Sequence, residues 1–113
     1  MKLTFIEHKE CREENTKYER DIYEIGNYQV IRDLSIYESG NKHERFEVRP
    51  NRKVDFLPDI YYNYSIFGDD NQRDFRIQTT SYGSLPTEDI QKVIDGYKEA
   101  VEVVNVLNER FLK

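Results

Sequence analysis

The sequence predicts an α+β fold in which an antiparallel β-meander of five to six strands packs on one long C-terminal α-helix. Residues 1–82 contain short runs with apolar residues at every second position, and residues 86–112 repeat apolar residues at helical spacing. A chain of 113 residues, of which 37% are hydrophobic, can build one modest core. We therefore expect a single domain over residues 1–113.

The predicted strands are short segments that alternate apolar and polar residues or are rich in tyrosine. Gly26-Asn27 closes a hairpin because both residues tolerate positive φ, and Ser39-Gly40-Asn41 forms the next turn. Pro50 ends its strand because proline has no amide hydrogen, and GDDNQR links the last two strands. Asp69-Asp70-Asn71 resembles part of a calcium loop, but a hairpin turn explains it better. The expected strands are residues 3–7, 17–25, 28–38, 43–49, 60–67 and 74–82, with Ile66 on the same face as Ile60, Tyr62 and Tyr64.

The helix is predicted from Pro86, which suits a first helical position, and from acidic residues in the following turn. Its apolar residues cover an arc of about 140°, which predicts a stripe that faces the sheet. Gly96 lies inside the helix at a cost of about 1 kcal/mol relative to alanine, and close approach of another element would explain it. The residues of the stripe are Ile90, Val93, Ile94, Tyr97, Ala100, Val101, Val104, Leu107 and Phe111.

Acidic residues, beginning with Glu88, follow the predicted outer side of this helix. Like charges three or four residues apart each destabilise a helix by a few tenths of a kcal/mol, so the pattern needs a reason. An acidic stripe with an apolar centre could bind a basic groove that normally holds nucleic acid. An ordinary solvated face is the alternative. The predicted partner-binding residues are Asp95, Glu99, Glu102, Val106 and Glu109.

Two valines suggest a further interaction surface. Val103 and Val106 lie outside the apolar stripe, and the segment around them is apolar on several sides. A homodimer through Val103 and Val106 is therefore a second hypothesis, although isolated exposed valines are common.

The stretch from Lys42 to Lys53 is basic within an acidic chain. It holds five basic and two acidic residues, a net charge of +3, whereas the remaining 12 basic and 20 acidic residues give −8. Such a row could contact nucleic acid, with Tyr61, Tyr62 or Tyr64 stacking on bases. It could equally pair with acids such as Glu19, Asp21 and Glu24. The candidate nucleic-acid contacts are Arg45, Arg49, Arg52 and Lys53.

The sequence shows no catalytic or cofactor motif, so we expect a protein that is not an enzyme and holds no cofactor or metal. His8 lies three residues before Cys11, but a zinc site needs further ligands, and His43 is the only other histidine. A Cys-His catalytic pair would need one of these histidines beside Cys11 together with an orienting group. The sequence leaves the role of Cys11 open.

The bacterial cytoplasm is the expected location. The N-terminus MKLTFIEHKE is charged too early for a signal peptide, and a single cysteine permits no internal disulfide. No segment approaches the roughly 20 apolar residues of a membrane span.

The segment IQTTSYGSLPTEDIQKVIDGYKEAVEVVNVLNE, residues 77–109, resembles the tail of small phage and prophage accessory proteins of Gram-positive bacteria, where a strand ending in S-Y-G leads into an acidic helix. The resemblance covers about a third of the chain and carries over no catalytic residue. It implies a protein that acts by binding host machinery, and anti-CRISPR inhibitors are one such group.

The functional expectation is thus a non-catalytic, phage-derived inhibitor that binds a host nucleic-acid-handling or defence protein, such as a CRISPR effector, through its acidic helix face. A small nucleic-acid-binding protein that uses the basic stretch is one alternative. A structural or oligomeric phage component is another.

Overall fold

The computed structural model describes residues 1–64 and 72–112, which form six β-strands and one α-helix. The first four strands make an antiparallel sheet in chain order, and the last two make a separate antiparallel hairpin. The α+β prediction is confirmed, with the strands divided between two sheets. The elements are β1 (Thr4–Glu13), β2 (Thr16–Ile25), β3 (Tyr28–Ile36), β4 (Lys42–Pro50), β5 (Ile60–Tyr64), β6 (Arg73–Ile77) and α1 (Thr87–Leu112).

The edge strand β1 differs most from its prediction, since it runs over ten residues where residues 3–7 were expected. All ten residues are exposed. Because neither side of the strand packs on a core, its sequence needs no alternation of apolar and polar residues. Its charged side chains and the register shift between Phe5 and Glu7 are features that keep an edge strand from pairing with other chains.

The turns of the meander contain glycines that adopt positive φ. Gly26 has a φ of 55° in the predicted two-residue loop, and Ile25 pairs with Tyr28 on either side of it. In the next turn Gly40 has a φ of 88°. The predicted turn GDDNQR, Ile66 and the run Asp69-Asp70-Asn71 lie wholly or partly outside the described residues.

Both sheets and α1 share one hydrophobic core. The Phe46 ring is central, with ring centroids 5.1 Å from Phe75 and 4.9 Å from Phe111. Asn108 fixes the helix on β6, because its Oδ1 accepts a hydrogen bond from the Phe75 amide at 2.8 Å. The buried core residues are Ile25, Tyr28, Val30, Phe46, Val48, Ile60, Phe75, Ala100, Val103 and Leu107.

The helix presents a different side to the sheet than the apolar stripe indicated. Val103 is buried, whereas Ile90, Ile94 and Val101 are exposed. At 100° per residue the buried side lies roughly 75° from the centre of the predicted stripe. Gly96 supplies the reason: a Cβ there would lie 2.5 Å from the carbonyl oxygen of Phe56, so only glycine lets the loop after β4 approach the helix. The buried helix residues are Gly96, Ala100, Val103 and Leu107.

Beyond the core, the inner face of the four-stranded sheet is polar. Arg32 bonds to Glu44 on β4 and lies 3.5 Å from Asp21 on β2, which explains its place in an otherwise apolar strand pattern. On β2, Lys17 lies 3.1 Å from Glu19. Asp21 therefore pairs with β1 and β3, and Glu19 pairs within β2. The predicted pairing of the β2 acids with the arginines of β4 is wrong because β3 lies between those strands.

His8 contacts two carboxylates, Glu10 and Asp21, on the polar part of the inner sheet face. Its Nε2 lies 2.9 Å from Glu10, and its Nδ1 contacts Asp21. The hydrogen bond with Glu10, followed by the one with Asp21, raises the pKa of His8 above its ordinary 6.5. The bond to His8, followed by the charge of Lys17, lowers the pKa of Glu10 below its ordinary 4.5.

These pKa shifts predict a pH window for the stability of the β1–β2 pairing. The contribution of His8 is fully present below 6.5 and is lost as pH rises through its higher folded-state pKa. That of Glu10 is present above 4.5 and is lost as pH falls through its lower folded-state pKa. Urea unfolding should show the largest stability difference between the wild type and His8→Gln at about pH 5.5, with a smaller difference at about pH 8.5. A difference that is constant across this range would contradict the ion pairing.

Candidate functional site

The structure divides the residues of the predicted acidic stripe between two environments. Asp95, Glu102 and Glu109 are exposed on the outer side of α1, as predicted. Glu99 and Val106 are half-buried toward the sheet, so their assignment to the solvent-facing stripe is wrong.

Glu99 is a structural acceptor for the β2–β3 turn. Its Oε2 accepts a hydrogen bond from the backbone amide of Asn27 at 2.9 Å, and its Oε1 accepts one from the Asn27 side chain at 2.8 Å. Gly26 leaves room for this approach, because a Cβ there would lie 3.1 Å from Glu99 Oε2. The Glu99 carboxylate, predicted to contact an external partner, therefore has an internal partner 72 residues away in sequence.

The two valines of the dimer hypothesis belong to the interior. Val103 is fully buried in the shared core, and Val106 is partly buried and packed against it. A seam between two copies would need both side chains at the surface, so the described fold contradicts a dimer built on this pair. The dimer prediction is wrong because the helix packs on the sheet with the side that carries Gly96 and not with the predicted apolar stripe.

Because the helix buries the side that carries Gly96, three large aliphatic side chains of the predicted stripe remain in solvent. Ile90, Ile94 and Val101 are 44%, 42% and 48% exposed. Ile94 and Val101 border a shallow depression of about 510 Å³ that Val93 and Tyr97 also line. The Tyr97 hydroxyl accepts a hydrogen bond from the Thr80 amide at 3.0 Å, which holds the ring against the loop before the helix.

The aliphatic and acidic residues form adjacent strips on one surface. At 100° per residue the two strips lie about 100° apart around α1, with Lys98 and Asn105 between them. Lys98 and Glu102 also line the depression. We call this surface the helix face, and it consists of Ile90, Ile94, Val101, Asp95, Glu102 and Glu109.

The candidate nucleic-acid contacts of the basic stretch lie in different settings. Arg49 donates two hydrogen bonds to Glu47, at 2.8 and 3.1 Å, and this contact lowers the pKa of the Glu47 carboxyl. Arg52 pairs with Asp59 at 3.2 Å. Arg45 and Lys53 are exposed and form no salt bridge with any described residue.

The tyrosines proposed to stack with these cations lie elsewhere. Tyr62 packs against Phe46 on the inner face of β4, with ring centroids 5.1 Å apart. Arg45 and Arg49 alternate to the outer face of the same strand. On β5, Tyr64 packs against Tyr62 and lies under the Arg73 guanidinium, 5.3 Å from the ring centroid. The structure does not combine Arg45 and Arg49 with these tyrosines in one site.

Cys11 has no histidine beside it. His8 faces the inner side of the sheet, where it meets Asp21, whereas Cys11 alternates to the outer side. Cys11 and His43 share the outer side but stand on β1 and β4, three strand spacings or about 14 Å apart. Neither histidine is therefore within hydrogen-bonding reach of the thiol.

One group of residues has ligand atoms close enough to share a cation. Side-chain atoms of His8, Glu10 and Glu19 lie within 4.8 Å of one another. The Lys17 ammonium lies 3.6 Å from Glu10 and 3.1 Å from Glu19, so a cation already balances these carboxylates. Both His8 nitrogens contact carboxylates as well. The group is best described as a salt-bridge cluster.

The described helix is too polar for a membrane-spanning segment. Comparisons found no protein-family model, no curated protein and no solved structure that matches this chain.

Proposed function

We propose that this protein is a non-catalytic inhibitor that binds a host nucleic-acid-handling protein through the helix face. The observation that carries the proposal is the aliphatic strip of Ile90, Ile94 and Val101, which the fold leaves in solvent beside an acidic strip. Large apolar side chains grouped on a surface and rimmed by polar residues are typical of protein interaction sites.

The two strips have separate roles in such an interface. Buried aliphatic anchors at the centre of an interface set the residence time of a complex, whereas charges at the rim mainly raise the association rate. Asp95 accepts a hydrogen bond from Gln91 at 2.9 Å. Glu102 and Glu109 form no salt bridge with a described residue, so their charges are available to a partner.

Charge selects the class of partner. A partner that covers the helix face must meet Asp95, Glu102 and Glu109, and only Lys98 offsets them in the centre of the surface. A second copy would place acidic strips near each other, which costs free energy. A protein with a basic groove, as nucleic-acid-handling proteins have, meets the same surface with opposite charge.

The resemblance of residues 77–109 to phage accessory proteins narrows this class further. That segment contains every residue of the helix face. A bacterial defence protein of the CRISPR effector type is therefore the first partner to test, and binding would block its nucleic-acid channel.

The test is capture of partners from a host lysate, identification by mass spectrometry, and affinity measurement with the purified partner. We expect Val101→Asp to weaken binding at least about tenfold, mainly through faster dissociation. We expect Glu102→Lys to lower the association rate and its salt dependence. The purified partner should also lose nucleic-acid binding or cleavage when the wild-type protein is added.

Matched controls separate the helix face from general effects of charge. Val54→Asp introduces the same change at another exposed valine, and Glu13→Lys reverses an exposed charge on β1. Both controls should bind as the wild type does. If Val101→Asp and Glu102→Lys also bind as the wild type does, the helix face is an ordinary solvated surface and the proposal fails.

A further inference from the structure

A second candidate surface lies on the outer side of the four-stranded sheet, across the sheet from α1. It is a groove of about 670 Å³. The side chains that define it come from all four strands and from the residue after β3. They are Lys9, Tyr18, Arg20, Asp33, Tyr37 and Arg45.

Strand register brings these residues together. Lys9 pairs with Arg20, Arg20 with Asp33, and Asp33 with Arg45 along one row across β1 to β4. Directly paired residues in adjacent strands project to the same face. The row spans three strand spacings, or about 14 Å. Three cations and one acid from distant parts of the chain thus form one line.

The row carries a net positive charge on its own face. Asp33 accepts hydrogen bonds from Arg20 Nε and Nη2 at 2.7 and 3.0 Å, which leaves other guanidinium hydrogens of Arg20 free to donate. Lys9 is 3.7 Å from Glu7, and both side chains are well exposed. Arg45 is unpaired among the described residues. Lys9, Arg20 and Arg45 therefore face two acids, Asp33 and Glu7, which leaves a local net charge of +1.

Two further acids border the groove without neutralising it. Glu10 and Glu19 line its floor, but their side chains alternate to the inner face of the sheet. There Glu10 contacts His8, and both carboxylates lie near Lys17. Lys17 therefore offsets part of their charge on the far side of the sheet.

Two tyrosines give the groove flat apolar surfaces. Tyr18 is 38% exposed and Tyr37 is 44% exposed. In the described part of the chain neither ring packs against another aromatic ring, so the ring faces are available. A row of cations with adjacent free tyrosines combines phosphate attraction with base stacking, the two contacts by which proteins hold single-stranded nucleic acid.

We propose that the outer-sheet groove binds single-stranded nucleic acid, with phosphates on Lys9, Arg20 and Arg45 and bases on Tyr18 and Tyr37. The site goes beyond the proposed function, because it uses the sheet surface opposite the helix face. A protein partner on α1 and a nucleic-acid strand on the sheet can be bound at the same time.

Fluorescence anisotropy with labelled single-stranded RNA and DNA oligonucleotides of about 12 nucleotides, at low salt, tests this proposal. The wild type should bind, and its affinity should fall as salt is raised. Tyr18→Ala combined with Tyr37→Ala should weaken binding at least about tenfold, and Tyr18→Phe should retain it because the ring face remains. Arg45→Glu should weaken binding and reduce the salt dependence.

Three controls make the outcome decisive. Tyr61→Ala and Arg52→Glu alter an exposed tyrosine and an exposed arginine outside the groove and should leave binding unchanged. Val101→Asp should also bind the oligonucleotide normally, so failure here is distinguishable from failure of the helix face. Thermal melting confirms that each variant is folded.

Several results would overturn the proposal. One is absence of binding by the wild type at low salt. Another is equal loss of affinity in the groove variants and their controls. A third is competition by heparin combined with full retention of affinity in the double tyrosine variant, which would show a general polyanion surface without base stacking.

Discussion

Replacing Gly96 with valine should destabilise the protein by about 3 kcal/mol, near the upper end of what overpacking a core usually costs. Even the first added carbon would lie 2.5 Å from the Phe56 carbonyl oxygen. The loop that carries Phe56 has little freedom to retreat, because Pro58 accepts a hydrogen bond from the Tyr28 hydroxyl at 2.6 Å and Phe56 packs on Tyr82. Urea unfolding measures the change.

Asn105→Val is the matched control for this substitution. It introduces the same β-branched residue at an exposed position of the same helix, and we expect a change within about 0.5 kcal/mol. Gly96→Ala should still destabilise, although alanine favours a helix by about 1 kcal/mol over glycine. A stabilised Gly96→Ala variant would show that the loop does not rest on the helix at this point.

Replacing Glu99 with alanine should destabilise the protein by about 2 kcal/mol. The change removes both acceptors of Asn27 and leaves its backbone amide and side chain without a partner in a partly buried site. Hydrogen bonds to a charged acceptor are stronger than neutral ones, and their loss is correspondingly costly. Thermal unfolding should show a lower midpoint, by about 4 °C per kcal/mol.

Glu102→Ala is the control, because Glu102 occupies an exposed position three residues further along the same helix. Its unfolding midpoint should remain close to that of the wild type. Equal effects of the two substitutions would show that Glu99 does not hold the β2–β3 turn. For the same reason Glu99→Lys is unsuitable as a test of partner binding, since it would disturb folding as well.

The two proposed surfaces use opposite sides of one layered molecule. α1 covers the apolar half of the inner sheet face and turns its aliphatic and acidic strips outward. The row of Lys9, Arg20 and Arg45 lies on the outer sheet face. An inhibitor that contacted both a basic protein groove and its bound nucleic acid would need two separate surfaces of this kind.

A structural or oligomeric phage component remains an alternative to the proposed function. Val106→Glu does not test it, because Val106 packs against the core and its substitution would affect folding. The oligomeric state of Val101→Asp, measured by sedimentation, is the appropriate comparison, since Val101 is exposed. An assembly that dissociates in this variant would assign the helix face to contacts between copies.

The sequence alone determined the fold class and most element positions, because alternation at period two and apolar spacing at 3.6 residues depend on local geometry. Gly26-Asn27 and the start of the helix were predictable from backbone preferences of single residues. β1 was underestimated because an uncovered edge strand needs no apolar alternation.

Only the tertiary structure decided which side of the helix is buried and what each charge contacts. Phe56 packs against Gly96, 40 positions away in the chain, and this contact determines which side of α1 faces the core. In this orientation of α1, Val103 is buried, Val101 is exposed and Glu99 faces Asn27. The row of Lys9, Arg20 and Arg45 likewise exists only through strand register. Contacts between residues far apart in the chain leave no periodic signal, so a helical projection or a count of charges could not reveal them.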